Sequence, residues 1–492
     1  MKQFLHKLFA PIDLTRGSIF KGLVKFTLPI IFSYLFQQIY SITDGIIVGQ
    51  NLTSSQVNGI NDTSSISFIV LMFAQGCTVG FSVVTAKLFG KKDEAGMRRS
   101  FFVQLILSLI LSIVMTAITL SCLNPLLSMI GLNKETGGDT YISAYRYCFT
   151  MFSGLFTIVF YNQVMCFLRS IGDSIMPLIF LIIASILNII LDIIFIVPLA
   201  LGVVGAGLTT IISQGISALS CYVYMFFKYK NLRIRKEDTK AGVKDYLEHL
   251  RLGLPLGFQF SVLAFGLISL QSAIYKFDTL SDGTLSADPS AQLAYGACCK
   301  VINFLMAPIN ALGTAMLSFC AQNKGAGDEK RIKKGIKQSL IIALVLCLSA
   351  TAISMLLLID DTLLKIFYPL DKITKRTSYL TRIYIFTEMP LFYILGLLFI
   401  FRNSVQGVGN SLFPFLGGIG ELIGRILCSS FLPYAFTKTI SYELDLVQNP
   451  WPFVAVSLSD AIGWTIGVLF LSVGMYLYIY RTKKNKLPDI QK

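Results

Sequence analysis

Three apolar stretches of the chain carry polar residues at helical spacing. In the first, Gln37, Tyr40, Ser41 and Asp44 fall three, four and seven residues apart, and Ser33 extends the stripe by one turn. Such spacing places them on one helical face. Another stretch repeats the pattern with Ser185, Asn188 and Asp192. A third offers Thr209 and Thr210 after the glycine-rich turn Gly202-Val203-Val204-Gly205-Ala206-Gly207. No lysine, arginine or histidine lies in the core of these stretches to neutralise the two aspartates. Two carboxylates sharing a dry cavity have few options. One takes a proton, because burial and like charge both disfavour ionisation. Alternatively a hard cation such as Na+ takes oxygens from carboxylate, amide and hydroxyl groups. Either event could be a coupling step. The competing reading places each aspartate near the outer headgroups, simply solvated.

The stretches that hold these residues are membrane spans. The 492 residues are 54% hydrophobic and 14% charged, with a mean hydropathy of +0.68. A soluble domain carries about 25% charged residues. Segments long enough to cross a bilayer lie at 23–48, 66–88, 101–123, 141–167, 175–199, 204–227, 252–274, 293–321, 340–359, 380–401, 412–436 and 453–480. The expected fold is an all-α polytopic membrane protein with twelve transmembrane helices. A charge inside a span costs roughly 3 kcal/mol or more, so Asp44 and Asp192 need a purpose.

The net charge of +15 is distributed in alternate loops rather than as a nucleic-acid surface. Basic residues cluster at Lys2–Lys25, Lys91–Arg99, Lys228–Arg251, Lys324–Lys337 and Arg481–Lys492, and the intervening loops are nearly free of them. The positive-inside pattern puts both termini in the cytoplasm of a plasma-membrane protein. The loop with Lys365, Lys372, Lys375 and Arg376 dissents. No signal peptide is expected, and the first span serves as its own targeting signal. The cysteines form no CxxC and read as small apolar fillers. The two histidines, His6 and His249, fall in cytoplasmic segments, so no histidine relay crosses the membrane.

Two loop motifs recur. Gly90-Lys91-Lys92-Asp93-Glu94 matches Gly325-Ala326-Gly327-Asp328-Glu329, and Gly172-Asp173-Ser174 with Pro177 matches Gly409-Asn410-Ser411 with Pro414. The offsets agree closely (325 − 90 = 235; 409 − 172 = 237). This is an internal duplication with parallel repeats of six spans each. The expected organisation is an N-lobe over 1–228, a basic linker over 229–251 and a C-lobe over 252–492. Each half opens on a proline, Pro29 and Pro255, as a first-turn residue or a bend. The second half does not repeat the polar site: by the same offsets Asn188 maps to Arg425, Asp192 to Ser429 and Asp44 to Leu270. Glu421 and Arg425, four apart, read as an internal ion pair. Glu388, Asp460 and Lys300 read as interfacial or paired.

Together these residues resemble the MATE (multidrug and toxic compound extrusion) family, Gram-positive bacterial type, over nearly the whole chain. The resemblance rests on Asp13-Leu14-Thr15-Arg16-Gly17-Ser18-Ile19, Pro29…Asp44…Val48-Gly49, the Gly90…Asp93 block, Arg169-Ser170-Ile171-Gly172-Asp173-Ser174 with Pro177, and Asn188…Asp192…Gly202…Gly205-Ala206-Gly207. It implies two pseudo-symmetric six-helix lobes in a V around a central cavity, and drug export by alternating access. It also implies an N-lobe site, coupled to H+ or Na+, at Tyr40, Asp44, Asn188, Asp192 and Thr210. Another branch of the family uses acidic residues in the seventh and tenth helices. Here the seventh has Gln259, Ser261 and Leu263 with no carboxylate, the tenth is apolar around Leu395, and Glu388 could serve as a substitute.

The function expected is a secondary efflux antiporter for lipophilic, often cationic, compounds, working as a monomer without a bound cofactor. Gln37 and Ser41 would line the substrate cavity, with Phe32, Phe36, Phe152, Phe156, Met165 and Met306 as apolar wall. A cationic substrate would be drawn by the aspartates and held over aromatic faces. The runner-up is a lipid-linked oligosaccharide flippase, which would present cavity arginines or lysines to a pyrophosphate. An intramembrane enzyme is disfavoured, since neither HExxH nor paired GxGD-type aspartates occur. Without a Walker A motif, direct ATP drive is disfavoured too. An ion channel would not require two rocking lobes.

Overall fold

The computed structural model describes residues 11–135 and 137–481. The basic ends, with Lys2, His6, Lys7 and the tail after Arg481, lie outside the described residues. Eleven described helices are long and apolar enough to span a membrane, and a bent pair adds a twelfth. In chain order they are α1 Ile19–Asn51, α2 Ser64–Lys91, α3 Glu94–Ser121, α4 Gly138–Ser153 continued by Leu155–Ser170, α5 Ile175–Ile196, α6 Gly202–Lys228, α7 Val243–Lys276, α8 Ser290–Gly325, α9 Glu329–Leu356, α10 Lys375–Gly407, α11 Leu412–Ser430 and α12 Ser459–Tyr480. The 48° bend in α4 sits at Gly154. A Cβ there would meet the Ile211 side chain of α6 at 2.3 Å, so glycine permits both the bend and the close crossing.

The duplicated loops fold alike because the same residues cap them. Lys92 and its counterpart Gly327 both take left-handed backbone, with φ of 59° and 76°. The next residue, Asp93 or Asp328, caps the following helix by accepting the backbone N–H of Gly96 or Arg331, each at 2.8 Å. The second motif repeats too. Gly172 and Gly409 have φ of 91° and 94°. Asp173 then accepts the Met176 N–H at 3.2 Å, and Asn410 accepts that of Phe413 at 3.1 Å.

The two copies meet at the end that carries these basic loops. A Cβ on Gly90 would lie 1.8 Å from the Gln322 carbonyl oxygen, and one on Gly325 would lie 1.9 Å from that of Lys87. The contact is reciprocal, since the same offset of 235 relates Gly90 to Gly325 and Lys87 to Gln322. Farther along, Gly80 of α2 abuts the backbone of Gly253 in α7.

The first helix of each copy crosses to the other. Leu23, Phe26 and Ile30, spaced three and four, are fully buried in one cluster with Leu312, Met316 and Phe319 of α8 and Ile336 of α9. Likewise Leu250 and Tyr246 of α7 pack on Phe81 of α2 and Val103 of α3. Pro29 and Pro255 lie well inside their helices, not in a first turn, because α1 and α7 start before the expected span limits. His249 is buried in the early turns of α7, its Nε2 2.8 Å from Ser100 Oγ and its Nδ1 2.7 Å from the Asp245 carbonyl.

Candidate functional site: two facing carboxylates in the first copy

Beyond the seam, the C-terminal half of α1 leaves the second copy and packs on α5 and α6. Val48 joins Ile196 and Ala206 in one small cluster. This contact turns the Asp44 face toward Asp192. The Asp44 side chain comes within hydrogen-bonding reach of the Asp192 carboxyl. Asp192 is fully buried and Asn188 nearly so. With its amide oriented to satisfy both ends, Asn188 donates to Asp192 Oδ2 at 2.7 Å and accepts the Thr210 backbone N–H at 3.2 Å. Thr209 Oγ1 makes a short contact with Asp192 Oδ1, and the same oxygen is 2.9 Å from the Ala206 carbonyl. Tyr40 reaches the Thr210 side chain and lies beside Asp44.

The structure therefore brings together Tyr40, Asp44, Asn188, Asp192 and Thr210. Gln37 and Ser41, earlier on the same stripe of α1, are exposed and touch none of them by hydrogen bond. Of the two adjacent threonines read from the sequence, Thr209 bonds the Asp192 carboxyl directly and Thr210 meets it through Asn188. One further residue escaped the sequence reading. Tyr147 of α4 stands within electrostatic reach of both carboxylates, and nothing in its aromatic-rich stretch marked it. No described lysine, arginine or histidine forms an ion pair with Asp44 or Asp192.

The second copy is built otherwise. Glu421 and Arg425 do not pair along their helix, as expected from their spacing, but across to neighbours. Arg402 of α10 binds Glu421, and Arg425 binds Asp460 of α12. All four are buried. Glu388, 1% exposed, sits near Asp460, Arg425 and Tyr384, with its Oε2 unpartnered among the described residues. Where Asp192 stands in the first copy, Ser429 bonds Ser269 of α7 at 3.0 Å. Of the expected apolar wall, Phe152 and Met165 are instead buried in helix packing, 1% and 4% exposed, whereas Phe32, Phe36 and Phe156 are open.

The MatE family model matches residues 29–194 and again 264–428. The chain belongs to the MatE family. The two matches start 235 residues apart (264 − 29), the offset of the duplicated loops, so this MATE transporter is a tandem of one unit. "Probable multidrug resistance protein YpnP" of Bacillus subtilis is 29% identical over 325 residues, covering 65% of this chain and 68% of that protein. "Multidrug export protein MepA" of Staphylococcus aureus is 23% identical over 398 residues, covering 80% and 83%. In fold, the MATE chain is similar to an outward-facing multidrug resistance MATE family transporter of the MOP superfamily. The TM-score is 0.80 at 21% identity, covering 94% of this chain and 97% of the other.

Proposed function

We propose that this chain is a cation-coupled efflux antiporter of the plasma membrane. It exports lipophilic, often cationic, drugs or metabolites in exchange for H+ or Na+ and works as a monomer. The observation that carries this reading is the pair Asp44–Asp192, within hydrogen-bonding reach of each other and without an ion-pair partner among the described residues. With no base to neutralise it, the pair stores an ion or a proton. The Thr209 hydroxyl has one proton and two acceptors, Ala206 and Asp192. A protonated Asp192 resolves that conflict by donating to Thr209. A bound Na+ resolves it by drawing oxygens from both carboxylates, Asn188 and the threonines.

In this cycle the basic loops are cytoplasmic, so the reciprocal glycine seam closes the inner side and the site communicates outward. Substrate passes along Gln37 and Ser41 on the open face of α1. Ion entry at Asp44 and Asp192 removes the negative charge that retained a cationic substrate. The flippase alternative needs free basic groups in the cavity, and Arg402 and Arg425 are both consumed by internal partners.

The test is efflux of an ethidium-like dye from cells or vesicles under imposed H+ or Na+ gradients. Asp44→Asn and Asp192→Asn should each abolish gradient-driven efflux while the protein still folds. Normal transport by both variants sinks the coupling role. Failure of the unmodified protein to move any cationic dye under either gradient transfers support to the flippase.

A further inference from the structure

The segment before α1 holds no chemistry in the site, yet it bonds to both copies at the seam. Leu14 is 2% exposed and packs into the cluster with Phe319 and Ile332. Its N–H donates to Gln322 Oε1 at 3.1 Å, and its carbonyl accepts from Asn323 Nδ2 and Arg331 Nε, both at 3.2 Å. Arg331 spends its other nitrogens on the same segment, donating to the Arg16 carbonyl at 2.8 Å and the Gly17 carbonyl at 3.0 Å. Gln322, Asn323 and Arg331 all belong to the second copy. The segment also grips the first copy: the Ile12 N–H donates to the Gly172 carbonyl at 2.9 Å. Gln322 closes the circuit, its Nε2 donating to the Ser170 carbonyl at 3.0 Å.

The lead-in to α7 mirrors this arrangement with different chemistry. Arg98 of α3 donates to Asp238 Oδ2 at 3.0 Å and to the Asn231 carbonyl at 3.3 Å. That ion pair is buried on both sides, 8% and 4% exposed. Arg99 approaches Asp245, and Ser100 meets His249. Each copy's first helix is thus led in by a segment that an arginine of the other copy's third helix holds. One arginine faces a carboxylate. The other, Arg331, binds three main-chain carbonyls, lies over the Phe319 ring and is partly exposed, with no carboxylate partner among the described ion pairs.

We infer that residues 11–18 form a releasable strap across the seam, that Arg331 is its positioning residue, and that opening of the basic-loop end breaks this strap while the Arg98–Asp238 clasp stays closed. Neutral carbonyl acceptors can be exchanged for water at little cost, whereas separating a buried ion pair leaves two charges without partners. The strap therefore yields first. This rests on the alternating-access reading for its role in transport, but not for its existence.

Amide hydrogen exchange of the full-length protein in lipid nanodiscs tests it. In Arg331→Ala, exchange should rise about tenfold not only in 12–18 but also in the seam stretches 168–174 and 317–324, with 185–192 unchanged. Gln322→Ala should raise the same stretches, which keeps the inference testable if Arg331→Ala folds poorly. Arg331→Lys, able to serve fewer carbonyls, should fall between. Faster exchange confined to 12–18 would show a segment that merely rests on the seam and would overturn the inference. In Asp238→Asn, exchange should rise in 229–242 and leave the seam protected; a seam that opens as readily as in Arg331→Ala overturns the asymmetry. Dye efflux measured beside it separates the two readings. Exchange as expected with no efflux by the unmodified protein retains the strap and removes the drug-export function, whereas efflux with an unmoved seam does the reverse.

Discussion

At matched places in the two copies, α5 and α6 hold Asp192 with Asn188, Thr209 and Thr210, whereas α11 and α12 hold Arg425 bound to Asp460 and Glu421 bound to Arg402. The helical frame is the same, and the electrostatics are opposite. In the first copy, acids are left without a base and face each other. In the second, Glu421 and Asp460 are matched to arginines within the helix bundle, and Glu388 is left over among them. A site that must take up and release a cation needs unspent negative charge. A wall that must move as a rigid body is better served by charges that satisfy one another. The duplication preserved caps and seams, and the ionisable groups were free to diverge.

The sharpest way to break this contrast is stability against transport. Arg425→Leu strands Asp460 in the interior and should cost about 3–5 kcal/mol, seen as a large drop in thermal midpoint in detergent. Asp192→Asn keeps the shape and the Thr209 contact and should change stability by about 1 kcal/mol or less, while efflux is lost. If Asp192→Asn destabilises as much as Arg425→Leu, the first-copy acids are structural. Next comes the seam. Gly90→Val places side-chain atoms against the Gln322 carbonyl and should cost about 1–3 kcal/mol through overpacking. Its efflux should fall while ion-dependent protection of 185–192 in hydrogen exchange persists. Loss of both together would show that seam and site are not separable. Thr209→Val removes one donor to Asp192, worth about 1 kcal/mol, and should shift the apparent ion affinity several-fold without abolishing efflux. The smallest change is expected from Glu388→Gln, which should retain gradient-driven efflux; loss there would bring the second copy's remainder carboxyl into the cycle.

The frame was legible in the chain because its determinants are residue types with few other uses. Glycine at Gly172, Gly327 and Gly409 marks left-handed backbone, and the aspartate or asparagine after it marks a helix cap. Asp44 and Asp192 stood out because apolar spans rarely carry charge. What failed did so for geometric reasons. Spacing of four predicts that Glu421 and Arg425 can touch, but not that better partners wait on α10 and α12. Phe152 and Met165 look like cavity wall only until helix rotation is known. Tyr147 joins the site through the packing of α4 beside α1 and α5, which is a tertiary fact that spacing within α4 does not carry. The exchange of first helices between copies was equally invisible, since hydrophobic residues at Leu23, Phe26 and Ile30 specify burial without saying against which lobe.

The reciprocal contact of Gly90 with Gln322 and Gly325 with Lys87 has the form of an isologous interface, in which a surface patch meets its own duplicate. A six-helix chain of half this length, presenting that patch once, would make the same two contacts by homodimerising through a two-fold axis along the membrane normal. Fusing two such chains leaves the interface intact and frees each half to vary alone. In a dimer of identical halves, an unpaired acid gained at the position of Asp192 would appear twice, and so would its cost. Only after fusion can one half keep it and the other replace it with Ser429.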